Sequence, residues 1–353
     1  MYILMKRSLS APYVVASSNK MKTTLIMYLF VLFSFWGADW FHYLEYYPTL
    51  LRGNKGSMEE VYFWIAQNLS FNYLSFRFVV WGGSLCLLLH MFKRLSIPSH
   101  LAIFFFTTIY IIWFAYARAT LAMVLISCGS VFLYKPYKNR RLSVIVGFLI
   151  IGCAAFFHKS ALFGILAAIL AIFVNKFHKK TLLLLALCFP IFVYTAESYL
   201  GDFLNAEMSR DDGGFAAGMA VGQQYLNSET VVRGPGVLLQ AFLERFPHYM
   251  LVFISFKFIG SKSYEVAPQD IKFFIRLQFF IVLLSSLFMF NLGANTAIIY
   301  GRFIRFAVIP SCVILTYFYS IRYKFKYTQI TYYLAFIGTI YAVVYSMYNA
   351  YLR

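Results

Sequence analysis

Residues 142–175 read LSVIVGFLIIGCAAFFHKSALFGILAAILAIFVN, and this stretch decides the fold. Its only basic residues are His158 and Lys159, side by side at the middle. A bilayer core is crossed by ~20 apolar residues of helix, so the run is too long for one crossing and fits two short ones. Basic residues fence both ends: Lys135, Lys138, Arg140 and Arg141 before it, Lys176, Lys179 and Lys180 after it. Lys and Arg collect on the cytoplasmic side of membrane proteins. The run is therefore a helical hairpin whose ends lie inside and whose tip, at His158, lies outside.

The same grammar extends in both directions. Residues 100–134 form a second long apolar run, broken near its middle by Arg118. Across the chain the hydropathy gives eleven expected spans: 23–38, 72–92, 100–115, 119–134, 142–157, 160–175, 181–198, 237–259, 273–291, 303–320 and 329–349. Nineteen of the 31 Lys and Arg fall in alternate gaps, which places the N-terminus inside and the C-terminus outside. Eleven of the 13 carboxylates fall on or near the opposite face, and only Glu265 and Asp270 lie with the basic clusters. Acidic residues have little influence on orientation, so their bias marks a polar working surface on the exterior. The expected architecture is all-α, a single polytopic membrane bundle over 1–353 with exterior loops at 39–71 and 199–236.

Composition closes off other classes. The chain is 61% hydrophobic and 12% charged, against about 25% charged for a soluble domain. The net charge of +18 sits in short loops between spans, where orientation explains it without a nucleic-acid partner. Cys86, Cys128, Cys153, Cys188 and Cys312 lie in apolar runs without CxxC spacing and read as small buried hydrophobes. HExxH, a P-loop and Cys/His clusters are absent, so neither a metal nor a nucleotide cofactor is expected. Residues 58–69, MEEVYFWIAQNL, space Val61, Trp64, Ile65 and Leu69 as on one helical face, the pattern of a helix lying on the membrane surface.

Few polar groups remain that could carry chemistry. Asp39 ends the first span, with Tyr43 four residues on. A carboxylate at that boundary suits a general base or a sugar-hydroxyl ligand; a plain helix-end charge is the alternative. Arg118 defies the positive-inside trend, and its planar fork suits a phosphate or a carboxylate, an internal salt bridge included. His158 can exchange a proton near neutral pH or serve the fold. Arg302 and Arg305, three apart, repel each other unless an anion is shared, and pyrophosphate fills that role; snorkelling to headgroups is the alternative. Asp211 and Asp212 pair on an exterior loop, as glycan ligands or as a solvated turn beside Gly213-Gly214. Arg77 and Arg276, nearer span ends, rank lower.

Taken in order, these elements resemble the EpsG-like branch of the Wzy polysaccharide polymerases. Gly37, Asp39 and Tyr43 match a Gly-x-Asp-x-x-x-Tyr element. Arg118, Leu121 and Ala122 match Arg-Gln-x-(Leu/Ile)-Ala, with Ala119 standing where the family shows Gln. Phe157, His158, Ser160 and Ala161 match Phe-His-x-Ser-Ala in full, and Gly301–Arg305 resembles a late Arg-rich element. The resemblance implies a membrane glycosyltransferase similar in fold to the GT-C type. It would polymerise oligosaccharides carried on undecaprenyl pyrophosphate into O-antigen, capsule or exopolysaccharide, at the outer leaflet of the bacterial inner membrane. A chain-length regulator and a flippase are the implied partners. A lipid-linked oligosaccharide flippase, an O-antigen ligase and a membrane acyltransferase are the competing classes. A flippase needs polar groups through the middle of several spans, whereas here they concentrate near the exterior ends.

Overall fold

The computed structural model describes residues 44, 47–54, 60–97, 102, 117–134, 139–158, 160–174, 235–286 and 303–321. Among them there are helices and no strands. The helices are α1 (Glu60–Asn68), α2 (Tyr73–Arg94), α3 (Ala117–Tyr134), α4 (Arg140–Phe157), α5 (Ala161–Phe173), α6 (Pro235–Ile259), α7 (Lys262–Glu265), α8 (Gln269–Ser286) and α9 (Val308–Ser320), with a 3-10 turn at Arg305–Ala307 leading into α9. The expected spans at 72–92, 119–134, 142–157, 160–175, 237–259, 273–291 and 303–320 each coincide with helix within the described residues, 273–291 as far as Ser286. Four begin two to four residues earlier than expected, the largest difference being α8, which starts at Gln269 rather than residue 273, just after Pro268. The spans at 23–38, 181–198 and 329–349 lie outside the described residues, and of 100–115 only Ala102 is described. Helices α2 and α4 are long and apolar enough to cross a bilayer.

Helix α4 shows how side-chain size sorts the faces. Ser143, Gly147, Ile151 and Ala154 point inward, and Leu142, Ile145, Phe148, Leu149 and Phe156 point outward. Large apolar residues outside and small ones inside is the reverse of a soluble helix. It is the pattern expected where the surround is hydrocarbon and helices bind by close backbone approach. That approach is seen between α4 and α3. A Cβ added at Gly129 would lie 2.8 Å from the Gly147 carbonyl oxygen, and one added at Gly147 would lie 3.0 Å from the Gly129 carbonyl oxygen. Ser143 Oγ donates to the Phe132 carbonyl at 2.9 Å across the same seam. Asn139 caps α4 by accepting from the Leu142 amide.

Helix α5 repeats the rule, burying Ala161, Gly164, Ala167, Ala168 and Ala171 and exposing Leu162, Leu166 and Phe173. Helix α3 lies between α2, α4 and α5, and α8 lies between α5, α6 and α9. Helices α8 and α9 are buried over nearly their whole length and form the centre of the bundle. Arg276 is a tie within it: its Nε donates to the Ala171 carbonyl at 3.0 Å, and its guanidinium lies over the Phe273 ring.

Two expectations need correction. Cys128 and Cys312 are buried, but Cys86 and Cys153 are exposed, on outward faces of α2 and α4. An apolar thiol there needs a non-aqueous surround, not burial in protein; Cys188 is outside the described residues. Helix α1 does not turn its apolar residues to one surface. Tyr62, Ile65 and Ala66 are buried, while Trp64 and Leu69 are exposed. The Tyr62 ring meets Phe76 of α2 and Phe157 of α4 edge-on, so the bundle captures the inner face of α1.

Candidate functional site

The site is built around the turn between α4 and α5. Helix α4 ends at Phe157, and His158 leaves it in an extended conformation (φ −162°, ψ 125°). The chain then turns back at once. The His158 amide donates to the Ala154 carbonyl at 3.1 Å, and the His158 carbonyl accepts from the Ala161 amide at 2.9 Å. Both backbone groups are thus satisfied, and the half-buried imidazole is held against the turn. The Ser160 amide donates to His158 Nδ1 at 3.2 Å, and Ser160 Oγ lies 2.5 Å from the same nitrogen. An amide can only donate, so Nδ1 accepts, and the proton of the neutral ring sits on Nε2. His158 therefore offers Nε2–H as a donor.

Three other segments reach the same end of the bundle. Helix α3 packs along both α4 and α5, and Arg118 is the second residue of its first turn. Phe163, in the first turn of α5, stacks on Phe303. A Cβ added at Gly164 would lie 2.8 Å from Phe306 and 2.5 Å from Ile126 of α3. The glycine thus lets the 303–307 segment sit against α5 and α3 together. Arg305 opens the 3-10 turn there and is buried. The third segment is α1 with the start of α2. Tyr47 Oη bonds Ser70 Oγ at 2.6 Å and packs on Tyr73 and Phe76. Burial pushes the Tyr47 phenol up and the Ser70 bond partly offsets this, so the group stays neutral as a hydrogen-bonding hydroxyl. Arg77 of α2 is buried, 3% exposed, with its guanidinium 5.9 Å from the Tyr73 ring.

Of the residues singled out by sequence, the structure brings Arg118, His158 and Arg305 to one end of the bundle. Asp39, Tyr43, Arg302, Asp211 and Asp212 lie outside the described residues. These residues come from separate sequence elements in a fixed order, and that order is what a family comparison tests.

The EpsG family model matches residues 21–352, nearly the whole chain. The chain belongs to the EpsG family. This is a family of Wzy-like polysaccharide polymerases, so the protein is a membrane protein with a polysaccharide polymerase-type role. No curated protein and no solved structure matches the chain.

Membership does not absorb every polar group. His248, Gln278 and Ser311 meet between α6, α8 and α9. Gln278 Nε2 donates to Ser311 Oγ at 3.0 Å, and Ser311 Oγ lies 3.1 Å from His248 Nδ1. The Ser311 hydroxyl accepts from one and is left to donate to the other, which ties three helices through one oxygen. Ser311 is in the first turn of α9, six residues or about 9 Å from Arg305, so the cluster lies just below the 303–307 segment. Sequence reading missed it because the three residues lie on three different helices and share no motif spacing.

Proposed function

We propose that this EpsG-family chain joins oligosaccharide repeat units carried on undecaprenyl pyrophosphate, at the outer leaflet of the inner membrane, as a GT-C-like polytopic glycosyltransferase. The observation that carries the reading is the family match over residues 21–352, and it is supported by the positions of Arg118 in the first turn of α3 and His158 at the end of α4, on one end of the bundle. A lipid-linked donor needs cationic groups for its pyrophosphate, a polar group for the acceptor and an apolar surround for its tail. That end of the bundle offers the first two, and the outward faces of α2 and α4 supply the third.

In the reaction, the bond between the donor's anomeric carbon and the phosphate oxygen breaks. The electron pair leaves with undecaprenyl pyrophosphate, whose charge Arg118, Arg302 and Arg305 stabilise. The acceptor hydroxyl forms the new glycosidic bond and its proton passes to Asp39. His158 donates Nε2–H to a substrate oxygen and so positions it. Tyr43, Asp211 and Asp212 bind the glycan. The lipid pyrophosphate is already an activated leaving group, so neither ATP nor a nucleotide sugar enters the reaction.

The test is purified protein in nanodiscs supplied with lipid-linked repeat units. A ladder of products lengthening by whole repeat units, with stoichiometric release of undecaprenyl pyrophosphate, is the expected result. Transfer only to a lipid A core acceptor would make the protein a ligase. Translocation of the intact donor across vesicles without bond formation would make it a flippase.

A further inference from the structure

Gln278 of α8 uses only half of its amide in the tie to Ser311. Its Nε2 donates to Ser311 Oγ at 3.0 Å, while its buried Oε1 has no hydrogen-bond partner among the described residues. Turning the amide over would exchange an orphaned oxygen for an orphaned nitrogen and leave the need unchanged. Ser255 of α6 is in the same condition: its Oγ is buried and meets no partner among the described residues. Other hydroxyls of this bundle behave differently. Ser285, Ser286, Thr316 and Ser320 each donate to the carbonyl four residues back on their own helix. Ser255 stands on a continuous helix and does not make that bond, so its hydroxyl is left for another partner.

The two residues face one small cavity between α6 and α8, with room for about one water. Ser255 and Gln278 are its only polar lining; the rest is apolar, and Phe256 and Phe279 meet edge-on in its wall. A buried polar atom without a partner is a standing penalty, and hydrocarbon cannot supply the partner. An apolar occupant would leave both side chains unpaired. A water donates one proton to Gln278 Oε1 and exchanges a second hydrogen bond with Ser255 Oγ, which gives it the two polar partners an internal water needs. We propose that one internal water occupies this cavity and bridges Ser255 Oγ to Gln278 Oε1. A continuous polar chain then runs from Ser255 through the water, Gln278 and Ser311 to His248, and it joins α6, α8 and α9. Because Ser311 lies in the first turn of α9, the chain seats the start of that helix and the 303–307 segment above it. The proposal rests on the packing of the bundle and not on the donor reading.

Thermal unfolding of the full chain in nanodiscs separates a wet cavity from a dry one by its sign. With the bridge in place, Ser255→Ala removes one of the water's two partners and should lower the melting temperature by a few degrees, although alanine is the better helix former. Ser255→Val displaces the water, strands Gln278 Oε1 and should lower it further. In a dry cavity Ser255→Ala deletes an unpaired hydroxyl and should leave the melting temperature unchanged or raise it. A rise or no change in either variant therefore overturns the proposal. In a Gln278→Met background the bridge is already lost, so adding Ser255→Ala should lower the melting temperature no further. An undiminished fall there would assign Ser255 to some other contact and overturn the bridge. A map of the wild-type chain that resolves ordered waters should show one within hydrogen-bond reach of both Ser255 Oγ and Gln278 Oε1, and a cavity without that peak overturns the proposal as well.

Discussion

At the scale of single residues, the turn at 158–160 separates two roles that the sequence leaves joined. A histidine beside a reacting hydroxyl can be a base or a donor, and the string Phe-His-Lys-Ser-Ala does not say which. The backbone does. With the Ser160 amide aimed at Nδ1, the only basic nitrogen of the neutral ring is occupied, and Nε2 carries a proton it can only share. His158→Gln preserves an N–H donor of similar reach and should retain partial activity. His158→Ala should lose roughly 10- to 100-fold, the value of one hydrogen bond to a charged or reacting group. Asp39→Asn should fall ~100- to 10,000-fold, as for loss of a general base. Single-turnover rates with lipid-linked repeat units decide between these. Equal, large losses in His158→Gln and His158→Ala would return the base role to the histidine.

At the scale of elements, the small residues do what the large ones do in a soluble core. The contact of α3 with α4 rests on Gly129 and Gly147, each facing the other's backbone oxygen with no room for a methyl group. Gly129→Ala must push the helices apart, since a carbonyl oxygen cannot swing aside as a side chain can. A loss of about 1–3 kcal/mol is expected, the usual cost of overpacking. Gly152, on the same helix as Gly147, has open space around its Cα, so Gly152→Ala should leave stability unchanged or slightly raised. Thermal unfolding in detergent compares the two, and equal melting points would show that the seam is not held by close approach. Helix positions were legible from hydropathy because a bilayer imposes one length on every crossing. Which face of each helix turns inward was legible only in part. Apolar residues occupy both faces of α4, and only the contrast between Gly147 or Ala154 and Phe148 or Leu149 betrays the seam. The face of α1 was misread for the same reason: Trp64 and Ile65 are equally apolar, and only a partner such as Phe157 decides which is covered.

At the scale of the whole molecule, the site was legible where charge opposes its setting and illegible where it does not. Arg118, His158 and Arg305 stand out as ionisable groups inside apolar sequence, and the structure brings them to one end. The charge pattern also predicts which way the bundle faces, and this governs whether a lipid-linked donor can reach it. If the His158 end is exterior, a cysteine at Asp212 in a cysteine-free chain should react with an impermeant maleimide in intact spheroplasts. A cysteine at Lys138 or Lys179, in the basic gaps that fence residues 142–175, should react only after lysis. The positions at 138 and 179 must behave alike, because α4 and α5 form a hairpin whose flanking segments share one side, and the expected span at 181–198 carries residue 212 to the other. Labelling of Lys138→Cys in intact cells with protection of Asp212→Cys would invert the molecule, put the arginines and His158 in the cytoplasm, and remove the outer-leaflet donor as a substrate.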